Sequence, residues 1–293
     1  MKIGSHFVGE KSKPYETSLT PRRTMNFAAA VGDSSTCYFD DERQEGIVAP
    51  PMLSTSLCWE IGAHPKKYWD LDDYPWEILN RQVHFTEYVE WYRVLRPGET
   101  IRVQGEIAAI FPQRGGTLLV VRYDARDESG NLVFQEYEGA LLRGVRCTDD
   151  GKGQKSLPSP PRASRVAAPL WEKTLHVNRL AAHVYDGCAE MPFEIQTSAR
   201  FARSVGLPDT ILHGTATLSY AVREIVSAET NGNPEALRSL SCVFSDKVFL
   251  DTDIHIRLMG REHHDGGFAL FFEVLNADNK VAIRNGHLTV DGA

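Results

Sequence analysis

The sequence has little of what marks a metal-binding, nucleic-acid-binding or membrane protein. Its five cysteines are odd in number and form no CxxC pair, which favours reduced thiols over a disulfide framework or a zinc site. The net charge of −7 argues against a nucleic acid or an anionic membrane as partner. No apolar run is long enough to span a membrane, and the stretch MKIGSHFVGEKSKPYETS lacks a signal-peptide core. We therefore expect a soluble, cytoplasmic protein without a metal ion.

What is present is enough for a well-buried core. The 293 residues, 42% of them apolar, suffice for one large or two ordinary domains. The segment CTDDGKGQKSLPSPPRASRVAAP is rich in Gly, Pro, Ser and charge, divides the chain nearly in half and is typical of a linker. We predict a first repeat at residues 1–147, a linker at 148–169 and a second repeat at 170–293.

The two halves repeat one order of patterns. Each begins with a helix signal, which in the first half has Thr20 as N-cap and Pro21 at the first helical position. A loop and a more apolar helix follow, APPMLSTSLCWEIGA in the first half and HGTATLSYAVREIV in the second, and strand-like runs with hairpin turns complete each half. This order predicts a tandem duplication of an α+β unit with an antiparallel sheet around a central helix. Convergent patterning of two unrelated units is the alternative.

Three stretches carry a resemblance to a known family. GLPDTILHGTATLSYA, FAAAVGDSSTCYFDD and VAPPML resemble the MaoC-like hydratases and dehydratases, in the double hot-dog form with an N-terminal FAS1-like dehydratase repeat. The resemblance implies an α+β double hot-dog fold and a first repeat that shapes the substrate tunnel without catalysing. It also implies a small-molecule substrate held as a CoA or carrier-protein thioester, no cofactor, and a chain that is compatible with a homodimer.

The resemblance implies a particular catalytic loop. In that family a loop close to G-D-x-N-P-x-H precedes the central helix; its Asp and His handle the water and the α-proton, and backbone N–H groups near a His-Gly turn hold the thioester oxygen. Some relatives read Y-x-x-C-A-x-x-W-N-P-I-H-T-D here, and YDGCAEMPFEIQTS aligns with that pattern without gaps. This alignment places Phe193 at the Asn, Glu194 at the Pro, Gln196 at the His and Ser198 at the Asp. An alignment anchored on Pro192 places Glu194 at the His and Ala189 at the Asp instead. Neither alignment restores the pair.

The candidate catalytic residues are Gln196, Glu194 and Asp33. Gln196 cannot titrate and would orient water or a carbonyl, whereas Glu194 would serve as acid or base if burial raised its pKa. Asp33 follows Gly32 in the first half, where Tyr38 stands at the His position, so neither half has an intact dyad. Asp33 is either a retained motif carboxylate or a cap of the following loop.

The candidate substrate-binding residues are His213, Gly214 and Tyr38. A Gly at the His213-Gly214 turn lets the backbone approach a ligand closely, and a tyrosine can donate to a carbonyl from a tunnel wall. A plain helix-start turn and an ordinary core tyrosine are the alternatives. His84 alternates within a strand-like run, where we expect a half-buried histidine with satisfied hydrogen bonds. The residues 263–267 suggest a hairpin tip rather than a metal site.

These features predict a lyase-type enzyme that adds or eliminates water at an enoyl or 3-hydroxyacyl thioester, with the usual Asp and His replaced. Two alternatives stay open. One is a repurposed hot-dog enzyme that dehydrates, isomerises or cyclises a specialised metabolite in secondary metabolism, since confinement and hydrogen bonding can act without a strong base. The other is a non-catalytic acyl-binding subunit, because the motif has decayed in both halves.

Overall fold

The computed structural model describes residues 1–161, 168–264 and 266–292. Its helices are α1 Pro21–Ala30, α2 Thr36–Phe39, α3 Leu53–Ala63, α4 Pro65–Tyr68, α5 Ala181–Cys188, α6 Glu194–Thr197, α7 Ala199–Ser204 and α8 Gly214–Glu229. Its strands are β1 Lys2–Ile3, β2 Tyr15–Ser18, β3 Gln82–Trp91, β4 Thr100–Gln113, β5 Gly116–Arg126, β6 Leu132–Arg143, β7 Arg146–Cys147, β8 Trp171–Val177, β9 Leu237–Phe244, β10 Thr252–His264, β11 Gly267–Leu275 and β12 Val281–Asp291.

One ten-stranded antiparallel sheet runs through both halves. Its strand order is β2-β4-β5-β6-β3-β9-β12-β11-β10-β8, so the second five strands repeat the first five in mirror order. The halves join where β3 pairs with β9 in antiparallel register, with Glu87 opposite Cys242 and Val89 opposite Leu240. This symmetry agrees with the duplication that the sequence patterns predict.

Each half of the sheet wraps one central helix. In the first half α3 is buried along most of its length, and in the second half α8 takes the same place. The predicted apolar stripe of α8 lies inside the core, because Leu218, Val222 and Ile225 are all buried. The start of α1 is also as predicted, since the hydroxyl of Thr20 accepts a hydrogen bond from the backbone N–H of Arg23.

Each central helix also supports the opposite half. The hydroxyl of Ser56 on α3 donates a 2.6 Å hydrogen bond to the carbonyl oxygen of Ala189, just after α5. In the opposite sense, Arg223 on α8 donates to the carbonyl oxygen of Val31, just after α1. These contacts hold the loops that follow α1 and α5 against the opposite half.

We expect Ser56→Ala to lower the free energy of unfolding by about 1–3 kcal/mol, because the carbonyl of Ala189 would be buried without a partner. Chemical denaturation of the purified variant measures the loss. The matched control is Ser204→Ala, whose exposed hydroxyl makes only a local bond to the carbonyl of Phe201. Equal stability of the two variants would contradict a role for Ser56 in joining the halves.

Two sequence predictions fall partly on residues that the structure does not describe. Residues 162–167 of the predicted linker and Asp265 of the predicted hairpin tip lie outside the described residues. The boundaries of the two repeats and of the linker stay predictions. Within the described ranges, no helix is long and apolar enough to cross a membrane.

Candidate active site

The N-terminus of α8 meets the loop between α5 and α6 at His213. This residue precedes the first residue of α8, is buried, and has its Nε2 3.1 Å from the carbonyl oxygen of Met191. Burial lowers the pKa of His213 to about 4, so the ring is neutral near pH 7. The contact with a carbonyl assigns the proton to Nε2. Nδ1 is then an acceptor, and it has no hydrogen-bond partner among the described residues.

The α5–α6 loop shares one backbone feature with the loop that follows α1 in the first half. Counting back from Gln196 along G-D-x-N-P-x-H places Met191 at the Asp and Glu190 at the Gly. Glu190 has a φ of 56°, and Gly32 at the corresponding position of the first half has a φ of 64°. Both therefore adopt the left-handed conformation that favours glycine. Met191 is not among the residues that the sequence predicts for the site, although the motif spacing alone identifies its position.

Two hydroxyl groups surround the Met191 side chain. Its Sδ is 3.6 Å from Tyr185 Oη and 4.0 Å from Thr215 Oγ1. Hydroxyl donors suit a carboxylate better than a thioether, which is a weak acceptor. The surroundings of Met191 thus have the polarity expected around the motif's Asp.

The structure separates the three candidate catalytic residues. Gln196 on α6 is buried, and its Oε1 has no hydrogen-bond partner in the described part of the chain, which suits a positioning group. Glu194 is exposed, so the burial that its acid–base role requires is absent. Asp33 accepts hydrogen bonds from the backbone N–H and the hydroxyl of Ser35, as a cap of its loop would.

Tyr38 lies apart from the second-half residues. It is buried in a small apolar cluster with Ala28 and Val48, inside the first repeat. Burial raises the pKa of Tyr38 well above its ordinary value, so the phenol stays protonated. The structure therefore brings His213 and Gly214 together with the α5–α6 loop, while Tyr38 packs with first-half residues.

Gly214 lies next to the ring of Phe244. A Cβ at position 214 would lie 3.2 Å from Phe244 Cδ1, so a larger residue would press on the ring. The same ring also contacts His84, at 4.4 Å between ring centroids. The phenyl group of β9 therefore contacts both the start of α8 and β3 of the first repeat.

His84 differs from the sequence expectation of a satisfied sheet histidine. Its Nε2 lies 3.0 Å from Glu87 Oε2, but the two are not aligned as a hydrogen bond, and the described residues offer Nε2 no other partner. His84 is half-buried, as expected, but its Nε2 lacks the hydrogen bond that the expectation included. A bulge between His84 and Thr86 interrupts the regular alternation of the strand at this point.

An apolar cavity lies behind this region, inside the first repeat. Trp59 at its wall contacts Phe193 of the α5–α6 loop at 6.0 Å between ring centroids. Tyr123 and Glu138 are two of its polar residues on the sheet side. The other lining residues are Ile61, Gly62, Pro65, Trp69, Leu71, Tyr74, Trp76, Leu79, Gln82, Ile107, Leu119, Val121 and Ala140.

The sequence is similar to that of known dehydratases. Residues 6–136 match the FAS1-like, dehydratase domain region. The 3-hydroxyacyl-thioester dehydratase Y of Mycobacterium tuberculosis is 24% identical over 259 residues, which is 85% of this chain and 84% of that protein.

Solved structures share the architecture. A MaoC-like dehydratase from Phytophthora capsici superposes with a TM-score of 0.80 at 20% identity, covering 97% of each chain. A Mycobacterium tuberculosis protein described as a double hot-dog fold gives a TM-score of 0.61 at 14% identity, covering 97% of this chain and 96% of its own. The predicted α+β double hot-dog fold is confirmed.

Proposed function

Since this chain is a double hot-dog protein of the MaoC-like hydratase and dehydratase type, with a FAS1-like dehydratase first repeat, we propose that it adds or removes water at an acyl thioester. The observation that carries the proposal is the contact between the ring of His213 and the backbone carbonyl of Met191. The Nε2 of His213 lies 3.1 Å from the carbonyl oxygen of Met191, and this contact supports a site at the helix N-terminus, where we propose that the thioester oxygen binds. CoA and carrier-protein thioesters remain the two candidate substrate forms.

The first turn of α8 provides the electrostatics that the reaction needs. The backbone N–H groups at a helix N-terminus have no partner within the helix, and the helix dipole adds positive potential there. Gly214 leaves this end uncovered by a side chain of its own. A thioester oxygen held here would be stabilised as negative charge develops on it.

The first repeat has a cavity of about 70 Å³, which we assign to the first carbons of the acyl group. The cavity behind Trp59 is mainly apolar and aromatic, as pockets for small apolar ligands are. The contact between Trp59 and Phe193 makes the cavity wall continuous with the loop that holds Gln196. An acyl chain that starts at Gly214 would thus pass from the second repeat into the first.

The proposal is tested by incubating the purified chain with enoyl-CoA and 3-hydroxyacyl-CoA substrates of increasing chain length, and with the same acyl groups on a carrier protein. We expect consumption of the enone absorbance and incorporation of solvent deuterium at the α-carbon for at least one acyl group. Heat-inactivated protein is the control. No absorbance change and no deuterium incorporation on the whole panel would contradict the proposal and favour an acyl-binding subunit.

A further inference from the structure

Two neighbouring side chains of β3, His84 and Glu87, have buried polar atoms without hydrogen-bond partners in the described ranges. Glu87 is 1% exposed, and neither of its carboxyl oxygens has a hydrogen-bond partner in the described ranges. The Nε2 of His84, 3.0 Å away, is likewise unpaired. Buried polar groups are normally hydrogen-bonded, so two adjacent exceptions suggest groups that await a ligand or a water molecule.

We propose that His84 and Glu87 are the acid–base pair of the candidate active site, supplied by the first repeat in place of the missing Asp and His. The inference rests on the proposed function. Phe244 links the pair to the site, because the same ring contacts His84 on one side and the start of α8 at Gly214 on the other. A thioester carbonyl held at the start of α8 would therefore lie near the ring that also contacts His84.

The pair can complete a hydration cycle without another reactant. Nε2 of His84 removes a proton from water as the water oxygen bonds to the β-carbon and the carbon–carbon π bond breaks. The α-carbon takes a proton from the Glu87 carboxyl group. The imidazolium then returns its proton to the Glu87 carboxylate, which a small side-chain rotation allows across 3.0 Å. Dehydration follows the same steps in reverse.

The environment favours the protonation states that this cycle needs. Burial lowers the pKa of His84, so the imidazole is neutral, and burial raises the pKa of Glu87 well above its ordinary value, so the carboxyl keeps its proton. Glu138 on β6 raises the pKa of both groups by its charge. The other ionisable groups near Glu87 are Glu136, Cys58, Tyr123 and Cys242.

A structural role explains these residues less well. A buried carboxyl group with no partner destabilises the fold, so selection for stability alone would favour a glutamine or an apolar residue at position 87. Strained or costly groups of this kind concentrate at functional sites. We therefore expect the pair to lower the stability of the fold and to be retained because it supports activity.

The test uses the full chain and the enoyl-CoA that the wild type hydrates fastest. We expect His84→Ala and Glu87→Gln to lower kcat by about 100-fold or more, with KM little changed, as loss of a general acid or base does. Added imidazole should restore part of the His84→Ala turnover. Glu87→Gln should melt at the same or a higher temperature than the wild type at pH 7.5, since it removes the buried carboxyl.

Glu90→Gln and His183→Ala are the matched controls, because Glu90 lies on the other face of β3 and His183 is exposed on α5. Both should keep wild-type turnover. An active wild type with fully active His84→Ala and Glu87→Gln overturns this inference and leaves the proposed function standing. Loss of activity with a lower melting temperature in both variants, and no imidazole rescue, overturns it in favour of a structural role. A wild type that is inactive on the whole panel contradicts the proposed function itself.

Discussion

Acidification from pH 6.5 to pH 4 is expected to lower the free energy of unfolding by up to about 3 kcal/mol through His213 alone. Burial lowers the pKa of His213 from its ordinary 6.5 to about 4 in the folded protein. Between these pH values the unfolded chain binds a proton that the folded chain does not. The stability is therefore fully present above pH 6.5 and is lost as the pH falls to about 4.

Urea denaturation at a series of pH values, compared with His213→Gln, measures this term. Glutamine cannot titrate, yet it can still donate to the carbonyl of Met191. Glu87 and Glu136 contribute with the opposite sign, because burial raises the pKa of both, and they act equally in both proteins. The difference between wild type and variant therefore isolates His213. Parallel curves for the two proteins would show that His213 is not buried neutral.

Much of the fold could be predicted from the sequence, because local patterns decide it. Thr20 and Pro21 identify the start of α1, and the stripe of Leu218 and Val222 identifies the buried face of α8. The repeat of helix, loop, helix and strands in both halves suffices to predict two central helices in one double unit. Each of these signals is contained within a few turns or strands of contiguous chain.

The site could be predicted only where it is contiguous. The His213-Gly214 turn and the α5–α6 loop lie in one short stretch, and the structure brings them together at Met191. The exposure of Glu194 depends on how α6 packs, which motif alignment does not report. The motif alignment therefore predicts where a residue lies in the fold better than it predicts what chemistry that residue performs.

The polar pair of the first repeat could not be predicted from the sequence. His84 contacts Phe244 of the second half because β3 pairs with β9, some 150 residues further along the chain, and a bulge interrupts β3 between His84 and Thr86. In the sequence, His84 fits the alternation of an ordinary strand. Contacts between the two repeats join residues that are distant in the sequence, and the sequence around one residue does not indicate which distant residue it contacts.

Restoring the motif dyad is expected to raise enoyl-CoA hydration by about 100-fold over the wild type in the double variant Met191→Asp/Gln196→His. Tyr185 Oη and Thr215 Oγ1 already lie 3.6 Å and 4.0 Å from Met191 Sδ, so donors for a carboxylate at position 191 are in place. Position 196 is buried and has an unpaired acceptor in the described structure, which leaves an imidazole there free to contact substrate or water.

The control is Met191→Asn/Gln196→His, which fills the same space with an amide that cannot accept the proton. Steady-state turnover and melting temperature are measured for both double variants, alone and combined with His84→Ala. The dyad should also restore turnover to His84→Ala, because it supplies an acid and a base independently of β3. A folded Asp/His variant with no more activity than the Asn/His control would show that the α5–α6 loop no longer faces the reacting carbons.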